Sequence, residues 1–217
     1  MDGILPIQAL EGLIAAGAIA APGGRAGFAE GQLQPASLDL RLGPKAHRIR
    51  ASFLPGPGEP IATKLADVTL HTIDLTGGAV LETGCVYLVP LLEELALPAD
   101  IAASTNPKSS TGRLDIFTRV IADGAGGFDS VSAGYRGRLA VEISPRTFPI
   151  LVREGSRLSQ IRFRRGDARL DDATLAALHA ESPIATPEAR IKDGLNVTID
   201  LKPEGGPAGY RAKRHTA

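Results

Sequence analysis

The chain of 217 residues carries one cysteine, Cys85. That excludes an intramolecular disulfide framework and fits a reducing cytoplasm. Excess charge of either sign is also missing. Lys+Arg 24 against Asp+Glu 24 give a formal net charge of zero, which argues against a duplex nucleic-acid binder or a protein held on an anionic membrane. Long apolar runs are absent too. The stretch from Ile14 to Ala21 is short and broken by Gly17, and the opening Met1-Asp2-Gly3 carries no basic region. The expectation is therefore a cytoplasmic protein with neither a signal peptide nor a transmembrane span.

What the chain does have is turn formers: Gly 25 and Pro 16 beside 22% charged and 43% hydrophobic residues. That balance favours many short strands, and the length allows one sizeable core, or one domain plus a fragment. Helical periodicity is confined to Leu5 to Ala16, where Ile7, Leu10, Leu13 and Ile14 share a face, and to Asp171 to Ala180 with Leu175 and Leu178. Elsewhere the period is two. Ser37-Leu-Asp-Leu-Arg-Leu42, Arg138-Leu-Ala-Val-Glu-Ile143 and Ile161-Arg-Phe-Arg164 alternate, which predicts strands with one buried face. A mainly β fold is the result, a distorted barrel or sandwich with short flanking helices.

Two segments carry chemistry. Pro107-Lys-Ser-Ser-Thr-Gly-Arg113 offers hydroxyls, backbone amides and fixed positive charge suited to phosphates, and Gly137-Arg-Leu-Ala-Val-Glu142 sets a carboxylate among apolar neighbours. Together they suggest hydrolytic chemistry on a nucleotide. The plainer alternatives are an ordinary cationic turn and a solvent-facing strand glutamate. Between them, Asp123 to Tyr135 is glycine-rich and reads as a long hairpin loop.

Gln34-Pro-Ala-Ser-Leu-Asp-Leu-Arg-Leu-Gly43, Lys108-Ser-Ser-Thr-Gly-Arg113 and Ala140-Val-Glu-Ile-Ser144, in that order, resemble the dCTP deaminase family of the dUTPase-like superfamily, over roughly residues 1 to 165. The resemblance implies a dUTPase-like β-barrel and metal-free deamination. In that scheme Glu142 is the general base, Ser109 positions the water or the amino group, and Arg113 holds Glu142 through a charge-assisted pair. Lys108 and Ser110 would contact phosphates. The backbone from Arg119 through Val120 to Ala122 would read the pyrimidine edge. Asp129 and Tyr135 would sit over the pyrimidine and sugar, in a loop longer than the family's usual form. Gln160 resembles the glutamine that serves the nucleotide near the end of the barrel, though an amide on a strand is often structural. Zinc chemistry is set aside on inventory: one cysteine cannot supply the Cys-x-x-Cys pair of the zinc deaminases, and His47, His71, His179 and His215 stand at no ligand spacing.

Residues 1–166 are read as the deaminase barrel, and 167–217 as a helical linker with the start of a second, truncated barrel. Asn196-Val-Thr-Ile-Asp-Leu201 echoes Pro35-Ala-Ser-Leu-Asp-Leu40, so the chain resembles the first half of a longer two-barrel bacterial subclass. A competing reading makes Gly209 to Arg214 a phosphate-closing tail in which Tyr210 and Lys213 cover the triphosphate. The resemblance further implies Mg²⁺ carried in with the nucleotide and a homotrimer with intersubunit sites. Three functions stay open: deamination of dCTP to dUTP and ammonia, a bifunctional dCTP deaminase/dUTP diphosphatase or dUTPase, and a non-catalytic nucleotide-binding half of a two-barrel protein.

Overall fold

The computed structural model describes residues 2–167, 169–186, 188–211 and 213. It divides into two compact units, with the boundary between Gly166 and Asp167.

The first unit is built on two six-stranded antiparallel sheets. One runs Ser130–Val131, Ile101–Pro107, Arg157–Arg165, Ser37–Arg41, Leu33–Gln34, with Gly3–Ile4 added alongside Arg157–Arg165. The other runs Ile116–Ala122, Arg136–Pro145, Val86–Ala96, Lys45–Ile49, Thr69–Asp74, with Ile19–Ala20 on Val86–Ala96. Alternation decides which residues face inward. Leu38, Leu40, Ile161 and Phe163 from the first sheet meet Val89, Val120, Val141 and Ile143 from the second in one continuous core. The mainly β architecture with short helices read from the sequence is the one observed.

The expectation of one-faced strands holds for Ile161 to Arg164, where Arg162 is exposed between buried Ile161 and Phe163, and is corrected for the other two segments. Every residue of Ser37–Arg41 is buried, and so is every residue from Leu139 to Pro145. The backs of these two strands are covered. Behind the second sheet Leu88, Ile121 and Ala140 pack with Ile61 and Leu65 in a separate cluster, flanked by Phe53, Leu54 and Phe128. Ile61 and Leu65 belong to a helix, Ile61–Val68, that the sequence periodicity does not reveal. Its start is fixed from a distance, because Asp123 Oδ1 accepts the Ile61 N–H at 2.7 Å, one of the donors a helix leaves open at its N-terminus. The two anticipated helices lie at Ile7–Ala15 and Asp172–Glu181, and a short third one spans Ser109–Arg113.

The free edge of Ser37–Arg41, beyond its pairing with Leu33–Gln34, is closed by a buried ion pair. Glu93, with 0% of its surface exposed, accepts hydrogen bonds from Arg41 Nε and Gln32 Nε2, each at 2.7 Å, and from the Arg41 amide at 2.9 Å. Arg41 Nη1 donates to the Gly27 carbonyl at 2.6 Å, and its guanidinium lies 5.9 Å from the Phe28 ring centre, tying the 24–34 loop to the sheet.

The second unit holds the helix Asp172–Glu181, capped by Asp171, whose side chain accepts the Thr174 N–H at 2.7 Å. A small hairpin pairs Arg190–Ile191 with Leu195–Asn196. The Asp172 carboxylate accepts the Asp193 and Gly194 amides at 2.9 Å each. Residues 197–201 form no strand, and Val197, Ile199 and Leu201 are largely exposed. Their alternation echoes Ser37–Arg41, but a period-two segment becomes a strand only where a neighbour takes its backbone groups. Tyr210 is exposed, and His215 lies outside the described residues.

Candidate functional site

The strand Arg136–Pro145 sends Leu139, Val141 and Ile143 into the core, so Glu142 lies on the opposite face, with Arg119 facing it across the ladder and Leu88 facing it on the other side. Directly opposed residues of this kind lie within side-chain reach. Glu142 is 2% exposed. Its Oε1 accepts from Arg119 Nε at 2.8 Å, its Oε2 accepts the Ser52 hydroxyl at 2.5 Å, and Arg119 Nη2 donates to the Ser52 Oγ at 2.7 Å. The guanidinium is further held against two rings, 3.6 Å from the Phe128 centre and 5.3 Å from that of Phe117, which favours a cation over neutral alternatives. The carboxylate is thus fixed in one orientation by a closed triangle of hydrogen bonds.

This corrects the expected partner. Arg113 sits exposed at the end of the short helix Ser109–Arg113, and among the described residues no ion pair or hydrogen bond joins it, or Ser109, to Glu142. The cation on Glu142 is Arg119, because strand register places it there, whereas Arg113 precedes the strand Ile116–Ala122 altogether. Ser52 was not anticipated. It is distant in sequence, and no local pattern marks it.

A second polar cluster forms behind the first sheet. Asp39, 1% exposed, is ion-paired through Oδ2 with Lys108 Nζ, and the same oxygen lies 3.7 Å from Arg157 Nη1, while among the described residues its Oδ1 has no partner. Lys108, read from sequence as a phosphate contact, therefore already has a carboxylate partner, brought to it by the pairing of Ile101–Pro107 and Ser37–Arg41 with the intervening strand Arg157–Arg165. Gln160 sits in the same row, between Asp39 and Asn106, and its Oε1 accepts the Ser37 hydroxyl at 3.3 Å. Ser109 and Ser110 are exposed in the first turn of the helix that Lys108 precedes. No signal in the sequence singled out Asp39, since a charge at an alternate position of Ser37-Leu-Asp-Leu-Arg-Leu42 reads as the solvent-facing side of a strand.

Asp129 holds the hairpin loop to the fold. It adopts a left-handed φ of 58°, its amide donates to the Val120 carbonyl at 2.9 Å, and its Oδ1 accepts from the Val120 amide at 2.8 Å and the Thr105 hydroxyl at 2.7 Å. The backbone groups of Val120 that were expected to read a pyrimidine are thus satisfied by Asp129. The Ala122 carbonyl accepts from the Ala125 amide at 3.2 Å, and the Arg119 side chain serves Glu142. Asp129 also lines an open cleft of about 680 Å³, with Pro107, Gly112, Phe117 and Thr118, so the loop and the Lys108–Arg113 segment do share a concavity.

Tyr135 closes the hairpin rather than projecting from it. Its hydroxyl donates to the Arg138 carbonyl at 2.5 Å and accepts the Asp123 N–H at 3.0 Å, and burial pushes its pKa up to about 12, with the nearby Asp123 charge adding to the shift. It is a neutral phenol at physiological pH. Gly137 is required beneath it: at φ 152° a Cβ would stand 2.8 Å from the tyrosine oxygen. Among the described residues no three His, Cys, Asp or Glu side chains are grouped to hold a metal ion, and no helix is long and apolar enough to cross a membrane.

Residues 1–167 match the family model of the 2'-deoxycytidine 5'-triphosphate deaminase N-terminal domain. The chain is 34% identical over 134 residues to a dCTP deaminase of Haloarcula marismortui, covering 61% of this chain and 66% of that protein. It is 33% identical over 137 residues to a dUMP-forming dCTP deaminase of Methanothermobacter thermautotrophicus, covering 62% and 66%. The crystal structure of 2'-deoxycytidine 5'-triphosphate deaminase from Agrobacterium tumefaciens superimposes with a TM-score of 0.85 at 55% identity, over 93% of this chain and 59% of that one. The chain thus spans just under two thirds of the curated relatives it matches. With three quarters of its length inside the family model, it belongs to the 2'-deoxycytidine 5'-triphosphate deaminase N-terminal domain family.

Proposed function

We propose that this protein deaminates dCTP to dUTP and ammonia by a zinc-independent hydrolytic route. The observation that carries the reading is Glu142, a carboxylate sequestered in a strand and oriented by Arg119 within a dCTP deaminase family domain. Glu142 takes a proton from water, the hydroxide adds to C4 of the cytosine ring, and the same carboxyl returns the proton to the amino group. The C4–N bond then breaks, ammonia leaves, and the added hydroxyl gives its proton to N3 as the C4 carbonyl forms. Arg119 keeps the carboxylate in register while its proton state changes, the role that the family resemblance assigned to Arg113. Arg113 and Ser109 stay in the proposal as groups that act on a nucleotide across a subunit boundary in a homotrimer, since both are exposed within one chain.

Ser110, Lys108 and Gln160 are the proposed phosphate side, with Mg²⁺ arriving on the triphosphate and keeping much of its own water. Residues 1–166 form the proposed catalytic barrel and act in the cytoplasm, and 167–217 serve as a helical linker toward a second barrel. A second reading is favoured by the dUMP-forming relatives: the same site also cleaves the α,β-phosphoanhydride, with Asp129, which lines the cleft beside Gly112, assisting water.

The test is to incubate the purified protein with dCTP and Mg²⁺, assay ammonia, separate the nucleotides, and run Glu142→Gln alongside. Ammonia with dUTP, lost in the variant, is the expected result. Formation of dUMP and pyrophosphate selects the bifunctional reading. No product from well-folded protein overturns catalysis by this chain and favours a non-catalytic nucleotide-binding half.

A further inference from the structure

Glu142 cannot be reached as it stands. Both carboxylate oxygens are engaged, one by Arg119 and the other by Ser52, yet Ser52 itself lies on the surface, in the segment Ala51-Ser-Phe-Leu-Pro-Gly-Pro-Gly-Glu-Pro60. That segment contains no helix or strand. Its composition makes it a jointed strap: Gly56 and Gly58 take left-handed φ values of 85° and 78°, and Pro55, Pro57 and Pro60 stiffen the links around them.

Few bonds hold it down. The Gly56 amide donates to the Ala125 carbonyl at 3.2 Å, the Gly124 amide donates to the Glu59 carbonyl at 2.9 Å, and Lys64 Nζ donates to the Leu54 carbonyl at 2.9 Å. Phe53 and Leu54 are half-buried against the cluster that holds Leu88 and Ile121, and Pro55 is the one buried residue of the segment. Among the described residues the one contact of the segment with a buried charge is Ser52 on Glu142, reinforced by Arg119 Nη2 on the same hydroxyl.

Resting on the reading of Glu142 as the reacting carboxylate, we infer that residues 51–60 are a strap latched shut by Ser52, which a nucleotide must lift before chemistry begins. The Ser52 hydroxyl occupies the place on Oε2 that the attacking water takes in the reaction. The exchange replaces one donor on the carboxylate by another, so opening forfeits little once the ligand is in place. A protein that is mostly latched binds with its intrinsic affinity divided by the small competent fraction.

The test compares wild type with Ser52→Ala in the full chain. Removing the latch raises the open fraction, so KM for dCTP falls about tenfold. Amide exchange in 51–60 rises in the variant without ligand, while exchange at Val141 in the sheet stays as it was. A kcat that falls with KM unchanged overturns the latch and assigns the hydroxyl to the chemistry. Unaltered exchange in the strap also overturns it. If the wild type releases no ammonia, calorimetric binding of dCTP decides separately: about tenfold tighter binding by Ser52→Ala supports the latch even though the deaminase reading has failed, and equal or weaker binding sinks both.

Discussion

Arg119→Met is the substitution that bears most directly on the site. Methionine keeps an unbranched stem between Phe117 and Phe128 and removes only the charge and its hydrogen bonds. Glu142, whose side chain is 3% exposed, would be left with the Ser52 hydroxyl as its single donor. Removing one partner of a fully dry pair costs about 3–5 kcal/mol. Arg119 retains 26% side-chain exposure, so water can enter where the guanidinium was, and about 2–3 kcal/mol is the expected loss. For a domain of this size that lowers Tm by about 4–12 °C.

The double variant Arg119→Met/Glu142→Met puts two apolar side chains beside Leu88, Ile121 and Ala140 and should recover most of that loss, giving a coupling of about 2 kcal/mol or more in urea unfolding. Activity takes a different course. In the proposed deamination, Arg119→Met misplaces the carboxylate, so kcat for dCTP falls about a hundredfold, and the double variant does not regain it. A single-variant loss below about 0.5 kcal/mol, or a double variant whose loss equals the sum of the singles, would refute the argument that this pair orients Glu142.

Glu93→Ala would strand Arg41 in a dry site and is expected to cost about 3–5 kcal/mol in urea unfolding, with Glu93→Gln costing less because the amide oxygen can still accept from Gln32. A Glu93→Ala loss of about 1 kcal/mol or less would show that water reaches the cluster. Tyr135 has a pKa raised from 10.0 to about 12, so the folded state holds its proton more tightly than the unfolded chain. Its stabilising contribution is whole below pH 10 and is lost as pH rises toward about 12. Tyr135→Phe should remove that steep alkaline loss and, by leaving the Asp123 N–H unpaired, cost about 1–3 kcal/mol at neutral pH. Alkaline unfolding curves that coincide for the two proteins would contradict both.

What the sequence alone determined was whatever repeats at short range. Period-two alternation in Ser37–Arg41, Arg136–Pro145 and Arg157–Arg165 established the β class, because alternate residues of a strand face opposite sides whatever lies beyond them. The Gln34–Gly43, Lys108–Arg113 and Ala140–Ser144 blocks carried the family resemblance, and Glu142 stood out as a carboxylate in an apolar strand. Partners were decided only by the tertiary structure. Arg119 rather than Arg113 meets Glu142 because the register of two strands chooses between them, and that register depends on how the strands pair across the long connection from Asp123 to Tyr135. Lys108 finds Asp39 across a sheet whose strand order the sequence does not state. Burial of the second strand faces likewise came from elements far along the chain, the helix Ile61–Val68 and the 24–34 loop. Ser52 reaches a carboxylate 90 residues away because the folded sheet holds that carboxylate beneath the strap, a long-range contact with no periodic trace in the residues themselves.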